Sequence, residues 1–93
     1  MKVLYVTEYS NNGDVQRETA MEPAARVQKV RFESLSDPLH HDTRMVVLFA
    51  ADTCEVAFVV DGRDTVWFPV AKEWETSRIV HMHTGMRVAV RSR

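Results

Sequence analysis

Three short apolar runs follow one another between residues 44 and 70, with polar turn sequences separating them. The first run, residues 45–51, is apolar at every position, which predicts a strand that is covered on both faces. The second run alternates between apolar and mixed positions, as expected for a strand with one buried face. Its apolar side, which we expect to point inward, consists of Cys54, Val56, Phe58 and Val60.

Short connections between these runs predict an antiparallel meander, because parallel strands need a long crossover. Asp52-Thr53 suits a tight loop after the first run, and Gly62 can take the positive φ that a second hairpin loop needs. Pro69 lies in the third run and has no amide hydrogen, so it marks the end of a strand or the edge of a sheet. Val66, Phe68 and Val70 share one face of this third run, opposite Thr65 and Trp67.

Outside the meander, alternation predicts a strand over residues 2–10 and a final hairpin over residues 78–90 that turns at Thr84-Gly85. The stretch from residue 15 to residue 35 is harder to interpret. Residues 15–20 fit a frayed return strand or a loop. We favour a short helical or irregular segment at residues 22–27, followed by a strand at residues 28–34 with Val30 and Phe32 facing inward.

About six short strands with closely spaced turns predict a mainly β fold, either a small antiparallel barrel or a strongly curved sheet. A short helix packed on one face would make the fold α+β instead. The 93 residues predict a single β-rich domain over positions 1–93.

The charge balance bears on the class of partner. Twelve basic and thirteen acidic residues give a formal net charge of −1, which argues against a generic nucleic-acid binder and against an acidic DNA mimic. Cys54 is the only cysteine, so an internal disulfide is impossible and a reduced, cytoplasmic location is the simpler expectation. We expect no signal peptide, no membrane span and no cofactor.

His81-x-His83 is the sharpest pattern for metal chemistry, because residues two apart on a strand project to the same side. His40, His41 or Cys54 could complete such a site. The simpler interpretation is that the two histidines line a half-buried sheet face, and we expect no metal.

A Cys54–histidine pair could act as nucleophile and base, but Cys54 lies on an apolar face, where burial raises the pKa of a thiol. The acidic residues near the turns of the meander are interpreted as turn formers and as contacts for a basic partner. They are Asp52, Glu55, Asp61 and Asp64. We therefore expect no catalytic residue.

Tryptophan and arginine contribute strongly to protein interfaces, and they supply the binding candidates. Trp74 lies beside Glu73 in a polar loop, where it either plugs the end of a barrel or stands out as a contact residue. Arg87 and Arg91 share a strand face and form a basic stripe. Trp67 could join Tyr5 and Tyr9 in an aromatic platform for single-stranded nucleic acid.

We interpret the chain as a non-enzymatic binding protein that acts by protein–protein contact. Its size and lack of an active-site pattern suit an accessory or inhibitor protein that occludes a site on a larger protein or nucleoprotein complex. Phages and mobile elements encode such proteins, anti-CRISPR proteins among them, although no shared motif supports the comparison.

Two alternatives belong to other classes. The first is a nucleic-acid-binding module that uses the basic C-terminal hairpin. The second is a metal enzyme based on His81 and His83. A homodimer formed through an edge strand is compatible with each of these functions.

Overall fold

Eight β-strands and no helix make up the described part of the chain, which is residues 2–10, 26–81 and 83–93 of a computed structural model. The strands form two four-stranded antiparallel sheets. Sheet I has the order β2-β1-β4-β7, and sheet II has the order β3-β8-β5-β6. The strand bounds are β1 (Val3–Tyr9), β2 (Arg26–Arg31), β3 (Ser34–Leu35), β4 (Met45–Ala50), β5 (Cys54–Val59), β6 (Phe68–Val70), β7 (Glu75–Ile79) and β8 (Arg87–Ser92).

The core is an apolar layer between the two sheets. Six strands, β1, β2, β4, β5, β6 and β8, contribute inward-facing side chains to this layer, as the geometry of a strand with one buried face predicts. Cys54 and Val56 are fully buried and Phe58 packs against them, as predicted for the inner face of β5. The other strands supply Leu4, Val6, Val30, Val46, Leu48, Ala50, Val70, Val88 and Val90.

The predicted barrel or strongly curved sheet is wrong, because the eight strands form two separate four-stranded sheets, neither of which closes on itself or is strongly curled. β4 pairs with β1 and β7, whereas β5 pairs with β8 and β6. The short connection at residues 51–53 therefore crosses between sheets instead of closing a hairpin. Of the predicted meander, only the β5–β6 pairing is present.

The predicted C-terminal hairpin is also wrong as a pair of strands. β7 pairs with β4 of sheet I, and β8 pairs with β5 and β3 of sheet II. The turn itself is present, since Gly85 has a φ of 77° and the amide of Met86 donates to the carbonyl of His83 at 3.0 Å. Distant strand partners therefore outweigh the local hairpin.

Two tight corners carry the chain from one sheet to the other. In the corner between β2 and β3, the amide of Phe32 donates to Lys2 at 3.1 Å and the amide of Glu33 donates to Val90 at 2.8 Å. Adjacent residues thus bond to different sheets. The second corner, between β6 and β7, contains Glu73. Glu33 and Glu73 have φ values of 68° and 57°, a left-handed conformation that side chains disfavour.

Other local predictions have mixed outcomes. Val30 and Phe32 are buried, and β6 with its Pro69 is an edge strand, as expected. Val66 was expected to share a strand face with Phe68 and Val70, but it precedes β6 and is 73 % exposed.

The predicted helical segment at residues 22–27 lies mostly outside the described residues, and its last two residues belong to β2. The predictions for residues 11–20 also fall outside the described part. No helix among the described residues has the length and hydrophobicity that a membrane span requires.

One end of the core holds a buried carboxylate, Glu8, on the inner face of β1. One oxygen of this carboxylate accepts hydrogen bonds from the His40 amide at 2.7 Å and from the Thr43 hydroxyl at 2.8 Å. The other accepts from Arg26 Nε and Gln28 Nε2, both at 3.1 Å. Four donors from β2 and from the 40–43 loop thus converge on one side chain, which joins that loop to sheet I.

Burial by itself raises the pKa of the Glu8 carboxyl. The hydrogen bonds from His40, Gln28 and Thr43, with the nearby charge of Arg26, outweigh burial and hold this pKa below its ordinary value of 4.5. The folded protein therefore favours the ionised form. Its contribution to stability is complete above the ordinary pKa and is lost as pH falls through the lower folded-state pKa.

Replacement of Glu8 by glutamine is expected to destabilise the protein at neutral pH by about 2 kcal/mol, because the amide cannot accept from all four donors. Urea unfolding of wild type and Glu8→Gln measures this difference. The difference in the free energy of unfolding between the two proteins should narrow as pH falls below 4.5, where the wild-type carboxylate loses its charge.

The exposed Asp64, which lies outside both sheets, provides the control. Asp64→Asn should have almost the same stability as wild type at every pH. A gap between wild type and Glu8→Gln that stayed constant down to strongly acidic pH would show that the charge of Glu8 does not stabilise the fold.

Candidate functional site

The outer face of sheet II carries a row of four residues, one each from β3, β8 and β5 and a fourth, Trp67, that directly precedes β6. Leu35 lies opposite Ala89, and Ala89 lies opposite Ala57. The β5–β6 register pairs Val56 with Phe68, and one further residue along it places Trp67 beside Ala57. Two small side chains therefore lie between two large ones. Because neighbouring strands are about 4.8 Å apart, the backbones that carry the two large side chains are about 14 Å from each other.

Trp67 and Arg91 are in direct contact on this face. The Arg91 guanidinium lies 4.0 Å from the centre of the Trp67 ring, and its Nε donates to a Glu55 carboxylate oxygen at 2.8 Å. A cation held over an indole and paired with a carboxylate has little freedom to reorient. The structure thus joins two of the predicted binding residues and adds Glu55 to them.

A shallow groove of about 500 Å³ runs between Leu35 and the Trp67–Arg91 pair, with Ala89 in its lining. Leu35 is 54 % exposed, although it is a large apolar side chain on a strand. Glu33 and Ser34 complete the lining. We call this feature the sheet II groove. Its centre is apolar, and charged groups lie at its rim.

Arg87 lies on the same face of β8 as Arg91, as predicted, but at the beginning of the strand. Its Nη1 donates to the carbonyl of Ser36 at 3.0 Å, so this guanidinium is bonded to the segment beside β8. With Arg91 paired to Glu55, both arginines of the predicted basic stripe are already engaged.

Trp74 and Glu73 lie at the corner between β6 and β7 and not in the groove. Trp74 is 68 % exposed, which settles the choice between a buried plug and an outward-facing residue in favour of the latter. The corner follows β6, whereas Trp67 precedes it, so the two tryptophans are at different ends of that strand.

The predicted aromatic platform is not formed. Tyr5 and Tyr9 alternate with the buried Leu4, Val6 and Glu8, so they lie on the outer face of sheet I. Trp67 lies on the outer face of sheet II. In a two-layer structure these faces point in opposite directions.

His81 and His83 follow the end of β7, in an irregular segment, so the strand spacing that motivated a metal site is absent. They line an open cleft of about 640 Å³ together with His41 and Arg44. Their nitrogens do not come together with a third ligand atom among the described residues.

The one group of three ligand atoms within 4.8 Å in the described chain is His40, His41 and Asp42 at the surface. The Asp42 amide donates to His40 Nδ1 at 3.1 Å, which already uses one imidazole nitrogen.

Cys54 is fully buried in the layer between the sheets. Burial, with a smaller effect from the charge of Asp52, raises the pKa of this thiol to about 11. A thiol with this pKa is almost entirely protonated at neutral pH and is a poor nucleophile. The geometry agrees with a structural cysteine.

Sequence reasoning missed the groove because its members come from four strands. Alternation in β8 places Ala89 between Arg87 and Arg91 on one face, and the sequence alone was sufficient to predict this placement. The position of Leu35 could not be predicted in this way, because β3 has only two residues and pairs with a strand more than fifty positions away.

Glu73, a predicted contact residue, has a left-handed backbone, and this yields a stability prediction. Glu73→Gly should stabilise the protein by about 0.5 kcal/mol. Glycine adopts this conformation without a steric penalty, and the greater entropy of glycine in the unfolded chain cancels only part of that stabilisation. Thermal unfolding measures the change.

Glu75→Gly is the matched control, because Glu75 lies in β7, where glycine is destabilising by about 0.5–1 kcal/mol. A lower melting temperature for Glu73→Gly than for wild type would contradict the argument from backbone strain.

Comparison of the chain with protein-family models, with curated proteins and with solved structures finds no match. Homology therefore assigns no role to any residue of this face.

Proposed function

We propose that this chain is a non-enzymatic binding protein that acts by protein–protein contact through the sheet II groove. The observation that carries the proposal is the groove between the exposed Leu35 and the Trp67–Arg91 pair, with the small side chain of Ala89 in its lining. Sheet faces that need only solubility carry polar side chains at such positions.

The groove fits an apolar side chain of a partner protein. Contact of that side chain with Leu35 and Trp67 would remove apolar surface from water on both partners. Tryptophan and arginine are also the residue types that most often dominate the energy of an interface. Arg91 and Glu55 already hold one another in place, so binding costs little additional side-chain entropy there.

The surroundings favour a protein over a nucleic acid as the partner. Arg91 is paired with Glu55, Arg87 is bonded to Ser36, and Glu33 contributes a further acidic group to the groove. A phosphate backbone attracts unpaired cations and is repelled by carboxylates. The net charge of −1 points the same way.

A small protein with one such surface suits the role of an accessory or inhibitor protein that occludes a site on a larger complex. The burial of Cys54 and the raised pKa of its thiol favour a structural role for this residue, and the proposal assigns binding as the activity of the protein. Trp74 is a second contact candidate because it is exposed on a corner that Glu73 and the neighbouring strands hold in place.

Ala89→Arg is expected to abolish capture of the partner from a lysate of the native host, because a long charged side chain would fill the groove. Ala71→Arg makes the same chemical change at an exposed corner residue and should retain the partner. Leu35→Ala, at an exposed edge position that tolerates truncation, should weaken capture about tenfold. Mass spectrometry of the retained protein, with and without nuclease treatment, is the measurement.

Circular dichroism of each variant checks that folding is unchanged. A partner retained equally by wild type, Ala89→Arg and Leu35→Ala would rule out the groove. Loss of the partner on nuclease treatment, with affinity that falls steeply with salt, would show nucleic-acid binding instead. Loss in Trp74→Ala alone would place the contact at the corner.

A further inference from the structure

The outer face of sheet I is a second surface, separate from the groove, and it is more apolar. Its central strand is β4, whose run from Met45 to Ala50 is apolar throughout. Val46, Leu48 and Ala50 point into the core. Met45, Val47 and Phe49 point outward, where they are only half-buried.

Strand pairing extends this apolar character across the whole sheet. Tyr9 and Met45 are opposite one another, and Met45 is opposite Ile79. The next row is Val27–Thr7–Val47–Ser77, and the third is Lys29–Tyr5–Phe49–Glu75. Val27 and Ile79 are 59 % and 62 % exposed. We call this surface the sheet I face, and no described residue covers it.

The sequence pattern already requires a cover for this face. A strand that is apolar at every position is typical of strands with packing on both sides. Sheet II covers only the inner side of β4. The outer side therefore calls for a second packing layer, and a contiguous apolar surface of this kind marks an interaction site.

We infer that a second copy of this chain covers the sheet I face. The third row supports this choice, because it has Lys29 at one end and Glu75 at the other, with Tyr5 and Phe49 between them. Consider two copies packed face to face around a two-fold axis that runs parallel to the strands, between β1 and β4. Each row then meets the same row of the second copy in reverse order.

In this arrangement Lys29 of each copy faces Glu75 of the other, and the two central aromatic residues face one another. Both charged residues are exposed, and neither forms an ion pair with another described residue. The surface is thus complementary to itself in charge as well as in hydrophobicity, as a two-fold interface requires.

Residues on the edge strands, by contrast, oppose association through those edges. Pro69 removes a backbone donor from β6. Arg78 of β7 points inward and lies 4.1 Å from the centre of the Phe68 ring, a device that discourages pairing at an edge. The β2 edge carries Arg26, Lys29 and Arg31, which would repel a second β2.

The sheet I face is four strands wide and about six residues long, so its footprint is roughly 19 Å by 20 Å. This is small beside the interfaces of permanent dimers, and we expect a dissociation constant in the micromolar range. The two grooves of such a dimer would point away from one another, since sheet II lies on the opposite side of each copy. The dimer would therefore offer two binding grooves.

Sedimentation velocity from about 5 µM to about 500 µM protein tests the inference. Wild type should shift from monomer to dimer within this range. Val47→Glu, which places a charge at the centre of the sheet I face, should raise the dissociation constant at least about tenfold. Val66→Glu is the matched control, because Val66 is 73 % exposed outside this face, and it should dimerise like wild type.

The charge pair tests the two-fold arrangement. Lys29→Glu and Glu75→Lys should each weaken the dimer, and the double swap should restore it. Circular dichroism checks the fold of every variant. Monomer at all concentrations, a dimer that survives Val47→Glu, or a double swap that fails to restore association would each overturn the inference.

These results are independent of the groove. Val47→Glu leaves sheet II unchanged, and Ala89→Arg leaves the sheet I face unchanged. If wild type stays monomeric and Val47→Glu loses a captured protein that Ala89→Arg retains, the sheet I face binds another protein, and both self-association and the groove proposal are wrong.

Discussion

The apolar layer between the two sheets is the interaction on which the rest of the structure depends. Its inner strand residues come from β1, β2, β4, β5, β6 and β8, and the most deeply buried include Leu4, Leu48, Val56 and Val88. Burial of apolar surface is the main favourable contribution to folding, and a chain of 93 residues has room for only one such layer. Among the described residues, each sheet therefore packs one face against the other sheet and leaves its second face uncovered.

The corners and the Glu8 network both serve this layer. Corners at Glu33 and Glu73 return the chain to the opposite sheet within a few residues, and both use a left-handed backbone conformation. Glu8 brings charge into one end of the core, where a carboxylate is tolerated because four donors surround it. Its hydrogen bonds fasten the 40–43 loop, which leads directly into β4.

The free faces differ in composition, and this difference organises the two proposals. The outer face of sheet II is small at its centre and charged at its rim, which suits a single inserted side chain. The sheet I face is flat and apolar over three rows, with opposite charges at the two ends of one row. A protein with both surfaces can associate with itself on one side and bind a partner on the other.

The sequence alone determined which side chains point inward and where the chain turns. Cys54, Val56 and Phe58 face the core, and Gly62 and Gly85 take positive φ values in their turns, because alternation and turn chemistry are local properties. Local signals also placed Pro69 at an edge. The predicted mainly β character follows from the same short, alternating runs.

Only the tertiary structure decided which strands pair. The short 51–53 connection fits a hairpin as well as a crossing between sheets. The crossing forms because β1 and β7 pair with the two edges of β4 and leave no edge for β5. Such pairings depend on contacts between residues far apart in sequence, which a local pattern does not encode. The groove has the same origin: Leu35, Ala89, Ala57 and Trp67 become neighbours only when four strands from distant parts of the chain align.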